Sequence, residues 1–154
     1  MLVTADQLVA HTIGDYCLQS DWMALEKTRD SVPAFLHALV YSLPFLWFSP
    51  SPQAMAIIIC THFVIDRLRL ARFVVYAKNF LAPSETFDWE GKPTVNEGGG
   101  LSGTMIKTRW WHPWADCSAT GSHKDRPAFL AVWLMIITDN AMHVLLNAAA
   151  LKWF

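Results

Sequence analysis

Histidine and aspartate recur four residues apart along the chain. The pairs are His11/Asp15, His62/Asp66, Asp139/His143 and His112/Asp116. Six histidines and nine aspartates scattered at random over 154 residues would give about 0.7 such pairs. On an α-helix, residues four apart share a face and lie a turn from each other. Each pair therefore offers an imidazole nitrogen and a carboxylate oxygen in one direction, a donor mix that borderline divalent metals accept. The His112/Asp116 pair is set aside, because Pro113 interrupts any helix there.

The remaining pairs extend into polar stripes. His11, Asp15 and Gln19 repeat every four residues; His62, Asp66 and Arg69 share a face; Asp139, His143 and Asn147 do the same, with Asn140 beside them. His37 stands alone in its segment. Seven ligand-type residues result: His11, Asp15, His37, His62, Asp66, Asp139 and His143. One tetrahedral zinc needs four ligands. Seven suffice for two metals, or for one metal with a general base and supporting carboxylates. The cofactor expected is a divalent metal: zinc, manganese or magnesium. Gln19, Asn140 and Asn147 are expected to orient ligands or touch substrate, and Arg69 to hold an anionic group such as phosphate. A metal-free polar network that clamps helices together is the competing reading.

Apolar segments must position these groups. Hydrophobic residues make up 53% of the chain and charged residues 16%, with a mean hydropathy of +0.25. Soluble domains carry about 25% charged residues. A net charge of −1 gives no electrostatic case for nucleic acid. Cys17, Cys60 and Cys117 are too widely spaced for a cysteine-based zinc site and do not form a disulfide framework. The first residues, Met-Leu-Val-Thr-Ala-Asp, lack the pattern of a signal peptide.

Four apolar stretches, about 2–25, 32–48, 54–80 and 127–154, predict an all-α four-helix transmembrane bundle in a single domain. The first is the weakest span, since a central Asp costs roughly 2.5 to 3.5 kcal/mol while each Leu or Val returns about 0.3 to 0.6. Asp15 would need partners across the bundle. Basic residues collect between the first two stretches (Lys27, Arg29), at the end of the third (Arg67, Arg69, Arg72, Lys78) and in the connection 82–126, with Lys152 alone opposite. The positive-inside rule then places both termini outside the cytoplasm of an inner membrane. Within 82–126, Asn96 to Gly103 reads as a flexible turn region and Trp110-Trp111-His112-Pro113-Trp114 as an interfacial anchor. The expected partner is the lipid bilayer, with a second copy of the chain left open.

The motif His11-Thr12-Ile13-Gly14-Asp15-Tyr16-Cys17-Leu18-Gln19-Ser20-Asp21-Trp22-Met23-Ala24 resembles the opening of an uncharacterised bacterial and phage membrane-protein family, domain of unknown function 3307. His37 with Tyr41, Thr61-His62-Phe63-Val64-Ile65-Asp66-Arg67 and Asp139-Asn140-Ala141-Met142-His143 follow in its order. The ending from Asp125 resembles phage-encoded members, which implies a phage source. The His/Asp pattern is similar to that of membrane proteins labelled metal-dependent hydrolases. A hydrolase acting on a phosphoester or lipid-like substrate is the leading expectation. A proton or metal-ion pathway and a non-enzymatic phage interaction protein are the alternatives.

Overall fold

The computed structural model describes residues 2–81, 86–90, 92, 94–108 and 112–154. The chain is mostly helical. Helix α1 (Ala5–Thr12) starts at a capping box in which Thr4 and Gln7 bond each other's backbone. It runs into a π-helical turn, Ile13–Cys17. Ser20 then caps a short helix, α2 (Asp21–Glu26), and Asp30 caps α3 (Ser31–Ser42). A 3-10 segment (Leu43–Phe48) extends α3 to Ser49, whose φ of 49° ends it. Ser51 caps and Pro52 opens α4 (Pro52–Leu68). After α5 (Ala71–Ala77) and the connection comes α6 (Ala128–Trp153).

Two of the expected stretches are broken. The stretch 2–25 is interrupted at 18–20, where the π-helical turn ends and Ser20 caps a new helix. The stretch 54–80 is interrupted at Arg69, which adopts a left-handed conformation with φ 51°. Polar residues stand at both breaks, Gln19-Ser20-Asp21 and Arg67, Arg69 and Arg72, but the apolar residues on either side let each stretch read as one. Among the described residues, two helical stretches are long and apolar enough to cross a membrane, Ser31–Phe48 and Ala128–Trp153.

Helices α3, α4 and α6 form the centre, with α3 and α6 packed on α4, α5 and α1 on α6, and α2 on α3. Small residues let them approach: Ala34, Ala38, Ala54, Ala131, Ala148 and Ala150 are buried. One end of the bundle is apolar, built on Tyr41, Phe45, Ile58, Ala10 and Ala150. The other end is polar and holds His37, His62, Asp66 and His143. The outer faces carry apolar residues instead: Phe129 is 71% exposed and Trp133 and Ile137 each 60%.

The connection between α5 and α6 is not structureless. Strand β1 (Thr86–Trp89) pairs antiparallel with β4 (Met105–Thr108), and β2 (Thr94–Val95) pairs with β3 (Leu101–Ser102) inside it. The result is a nested ribbon. Its tip is the glycine run, where Gly99 takes φ 77°. Trp110 and Trp111 of the expected anchor lie outside the described residues. His112 stacks on His123 at 3.7 Å, and Trp114 stacks on Phe73 of α5 at 5.1 Å.

Candidate metal centre

Each helix brings its ligand-type residues to the polar end for a local reason. His62 and Asp66 sit one turn apart on α4, with Nε2 and Oδ2 separated by 3.1 Å. Asp139 and His143 repeat the arrangement on α6 at 3.5 Å. His37 comes from the middle of α3 and is fully buried. Asp15 arrives from the π-helical turn, a local geometry frequent at functional sites. Gly14 permits this. A Cβ there would lie 2.7 Å from both Cδ2 and the backbone oxygen of Tyr41.

Four buried donor atoms converge: Asp15 Oδ1, His37 Nε2, His62 Nε2 and Asp66 Oδ2. The two imidazole nitrogens are 2.9 Å apart. His37 lies 3.1 Å from Asp15 and 3.3 Å from Asp66. His62 lies 3.7 Å from Asp15 and 3.1 Å from Asp66. Metal–ligand bonds of about 2.0 to 2.2 Å at a tetrahedral angle set ligand atoms roughly 3.3 to 3.5 Å apart. The quartet is therefore close to the size that a tetrahedral divalent metal requires. The Nδ1 atoms of His37 and His62 have no hydrogen-bond partner among the described residues. Packing holds these rings instead, as Tyr41 stacks on His62 at 3.6 Å.

His11 stands outside this group, because both of its ring nitrogens are engaged. Nε2 donates to Asn140 Oδ1 at 2.6 Å, which leaves Nδ1 to accept from the Tyr41 hydroxyl at 2.8 Å. The Tyr41 oxygen in turn accepts from Asn147 Nδ2. His11 and Asp15 remain 3.7 Å apart, but the π-helical turn sends them to different partners. Asn147 thus supports Tyr41, and Asn140 joins His11 to Tyr16.

Lys27 is the residue that spacing does not reveal. Its ammonium lies 2.9 Å from Asp66 Oδ2 and 3.3 Å from His37 Nε2, and it donates to Gln19 Oε1 at 2.8 Å. In the sequence it is one loop charge among several. It closes α2, just before the turn to α3, and Arg67 holds that turn by donating to the backbone oxygen of Thr28 at 3.1 Å. The cluster opens into a pocket of about 220 Å³. Asp15, Tyr16, Gln19, Lys27, Asp66, Arg69, Asp139 and Asn140 line it together with Ala71, Met135 and Ile136. Residues that could hold a metal, two cations and an apolar wall thus meet in one cavity.

Comparison with known proteins adds a family. The family described as Protein of unknown function (DUF3307) matches residues 3–85. Neither the curated proteins nor the solved structures contain a match. The matched span holds Asp15, Lys27, His37, Tyr41, His62, Asp66 and Arg69, so the whole quartet falls inside it.

Proposed function

We propose, for a chain that belongs to the DUF3307 family of proteins of unknown function, that it is a membrane-embedded, metal-dependent hydrolase of an anionic phosphoester or lipid-like substrate. The observation that carries the reading is the quartet of buried donor atoms at metal-ligand spacing beside a pocket that holds Lys27 and Arg69. A divalent metal held there would activate water and polarise the substrate. Asp15, His37, His62 and Asp66 would bind it. Asp139, partly exposed on the pocket wall, would take a proton from the attacking water. Arg69 and Lys27 would hold the anionic group, and Gln19 keeps Lys27 in place. His11, Tyr41, Asn140 and Asn147 would keep the neighbouring rings and helices in register.

Two features support a bilayer as the solvent. The buried polar groups and exposed apolar residues invert the usual arrangement. Helix α6, with 26 residues, is about 39 Å long, against a hydrocarbon core of about 30 Å. In this reading all four apolar stretches lie in an inner membrane as one domain, with the first and third stretches broken near the site, both termini on the non-cytoplasmic side and self-association open.

The test is metal content and metal response of the detergent-purified protein. A divalent ion in stoichiometric amount is expected by elemental analysis. Added metal at a hundredfold excess over its Kd should stabilise the fold by about 2.7 kcal/mol. Absence of both would end the metal reading. Hydrolysis of p-nitrophenyl phosphate or of phospholipid in vesicles, lost in Asp139→Asn, tests the reaction.

A second reading is proton or ion passage. It is favoured by the chain Tyr16–Asn140–His11–Tyr41–Asn147, which leads from the pocket wall into the core. Flux into vesicles that is no higher than in empty controls would count against it.

A further inference from the structure

Asp66 divides its carboxylate between two sets of neighbours. Oδ2 faces His37, His62 and Lys27, while Oδ1 faces His143 Nε2 at 3.4 Å. His143 Nε2 also lies 3.5 Å from Asp139 Oδ2. Both separations are too long for good hydrogen bonds to a ring nitrogen. The same nitrogen is buried and makes no hydrogen bond among the described residues. A buried nitrogen held only at ion-pair distance from two carboxylates, without a close hydrogen bond, is costly. Separations of 3.4 and 3.5 Å are, however, the edges expected between ligands that share one metal. Asp66, Asp139 and His143 form a second group of converging donor atoms.

Resting on the metal reading above, we infer that the centre is dinuclear and that Asp66 bridges two divalent cations. The first ion takes Asp15 Oδ1, His37 Nε2, His62 Nε2 and Asp66 Oδ2, four protein ligands that leave water or substrate only a fifth coordination position. The second takes Asp66 Oδ1, Asp139 Oδ2 and His143 Nε2, and the other oxygen of Asp139 stays free to take the proton of the attacking water. Three protein ligands leave one position open, which distinguishes catalytic from structural sites. Burial agrees with this division. The side chains of Asp15, His37, His62 and Asp66 are at most 9% exposed, whereas that of Asp139 is 27% exposed and lines the pocket.

Charge accounting narrows the substrate. Asp15, Asp66 and Asp139 with Lys27 carry a net charge of two negatives when all are ionised. One divalent cation neutralises that, and a second leaves the pocket positive. The open position therefore favours a phosphate ester carrying two negative charges, with Arg69 at the same wall. Two ions can then hold the entering and leaving oxygens of a displacement.

The probe is Mn²⁺ added to the full-length, detergent-purified protein, read by metal analysis after dialysis and by electron paramagnetic resonance. Two ions per chain with an exchange-coupled spectrum are expected. Asp139→Asn should retain one ion and lose the coupling. His143→Gln provides an independent variant with the same expected outcome, and the wild-type spectrum decides even if neither variant folds. One uncoupled ion per chain in the wild type overturns the dinuclear centre and leaves the hydrolase reading standing. Two ions retained in both variants overturn the assignment of the second site. No bound ion overturns the dinuclear and the metal readings together.

Discussion

Replacing Tyr41 by Phe removes one oxygen atom and little else. That oxygen donates to His11 Nδ1 and accepts from Asn147 Nδ2. Tyr41 is fully buried, Asn147 is 1% exposed and His11 4%, so water cannot easily replace the lost partner. Each buried polar group left unpaired costs about 1 to 3 kcal/mol. Two such groups give a destabilisation of roughly 2 to 6 kcal/mol, a large share of a typical stability of about 5 to 15 kcal/mol. In a chain of this size that corresponds to a Tm lower by roughly 4 to 24 °C. The aromatic ring that stacks on His62 remains in the variant, so the quartet keeps its support and metal content should be unchanged. The assay is thermal unfolding in detergent with parallel metal analysis. A Tm within about 1 °C of the wild type would refute the relay from His11 to Asn147. Loss of metal with unchanged stability would show that Tyr41 serves the metal and not the helix packing.

Other substitutions probe other parts of the argument. Gly14→Ala places a Cβ against the backbone oxygen of Tyr41, which cannot rotate away; a loss of about 1 to 3 kcal/mol and weaker metal binding are expected by thermal unfolding and titration. Arg69→Gly relieves the left-handed backbone and should gain up to about 1 kcal/mol of stability, while removing a charged pocket donor should raise KM for an anionic substrate roughly tenfold or more. Unchanged KM would remove Arg69 from substrate binding. Ile137→Lys on the exposed face of α6 should cost about 2.5 to 3.5 kcal/mol of membrane insertion, read as loss from the membrane fraction. A surface facing water would tolerate it within about 0.5 kcal/mol.

The sequence made the site more legible than the path of the chain. Spacing alone pairs His62 with Asp66 and Asp139 with His143, because both pairs lie on regular α-helices where four residues make about one turn. The same rule pairs His11 with Asp15, yet that pair spans the junction of an α-helix and a π-helical turn, and its members serve different partners. Lys27 was hidden because a charge in a connection carries no periodic signature. The break at Arg69 was hidden because the residue there is neither glycine nor proline, the types that announce such conformations. The glycine run marked the tip of the ribbon at 98–100, but the paired strands on either side are too short and too mixed in character to signal themselves.

The π-helical turn at Ile13–Cys17 also has a genetic consequence. Such a turn amounts to one residue more than an α-helix needs, and each α-helical residue rotates the chain by about 100°. Deleting the Ile13 codon would let the hydrogen bonds relax to the regular ladder. The segment would become a more ordinary helix, with its downstream half swung by that angle. Asp15 would then leave the polar end, and α2, which Lys27 closes, would start from the wrong azimuth. A one-residue deletion here is therefore expected to be more damaging than most substitutions at the same positions, although it leaves every ligand present in the sequence.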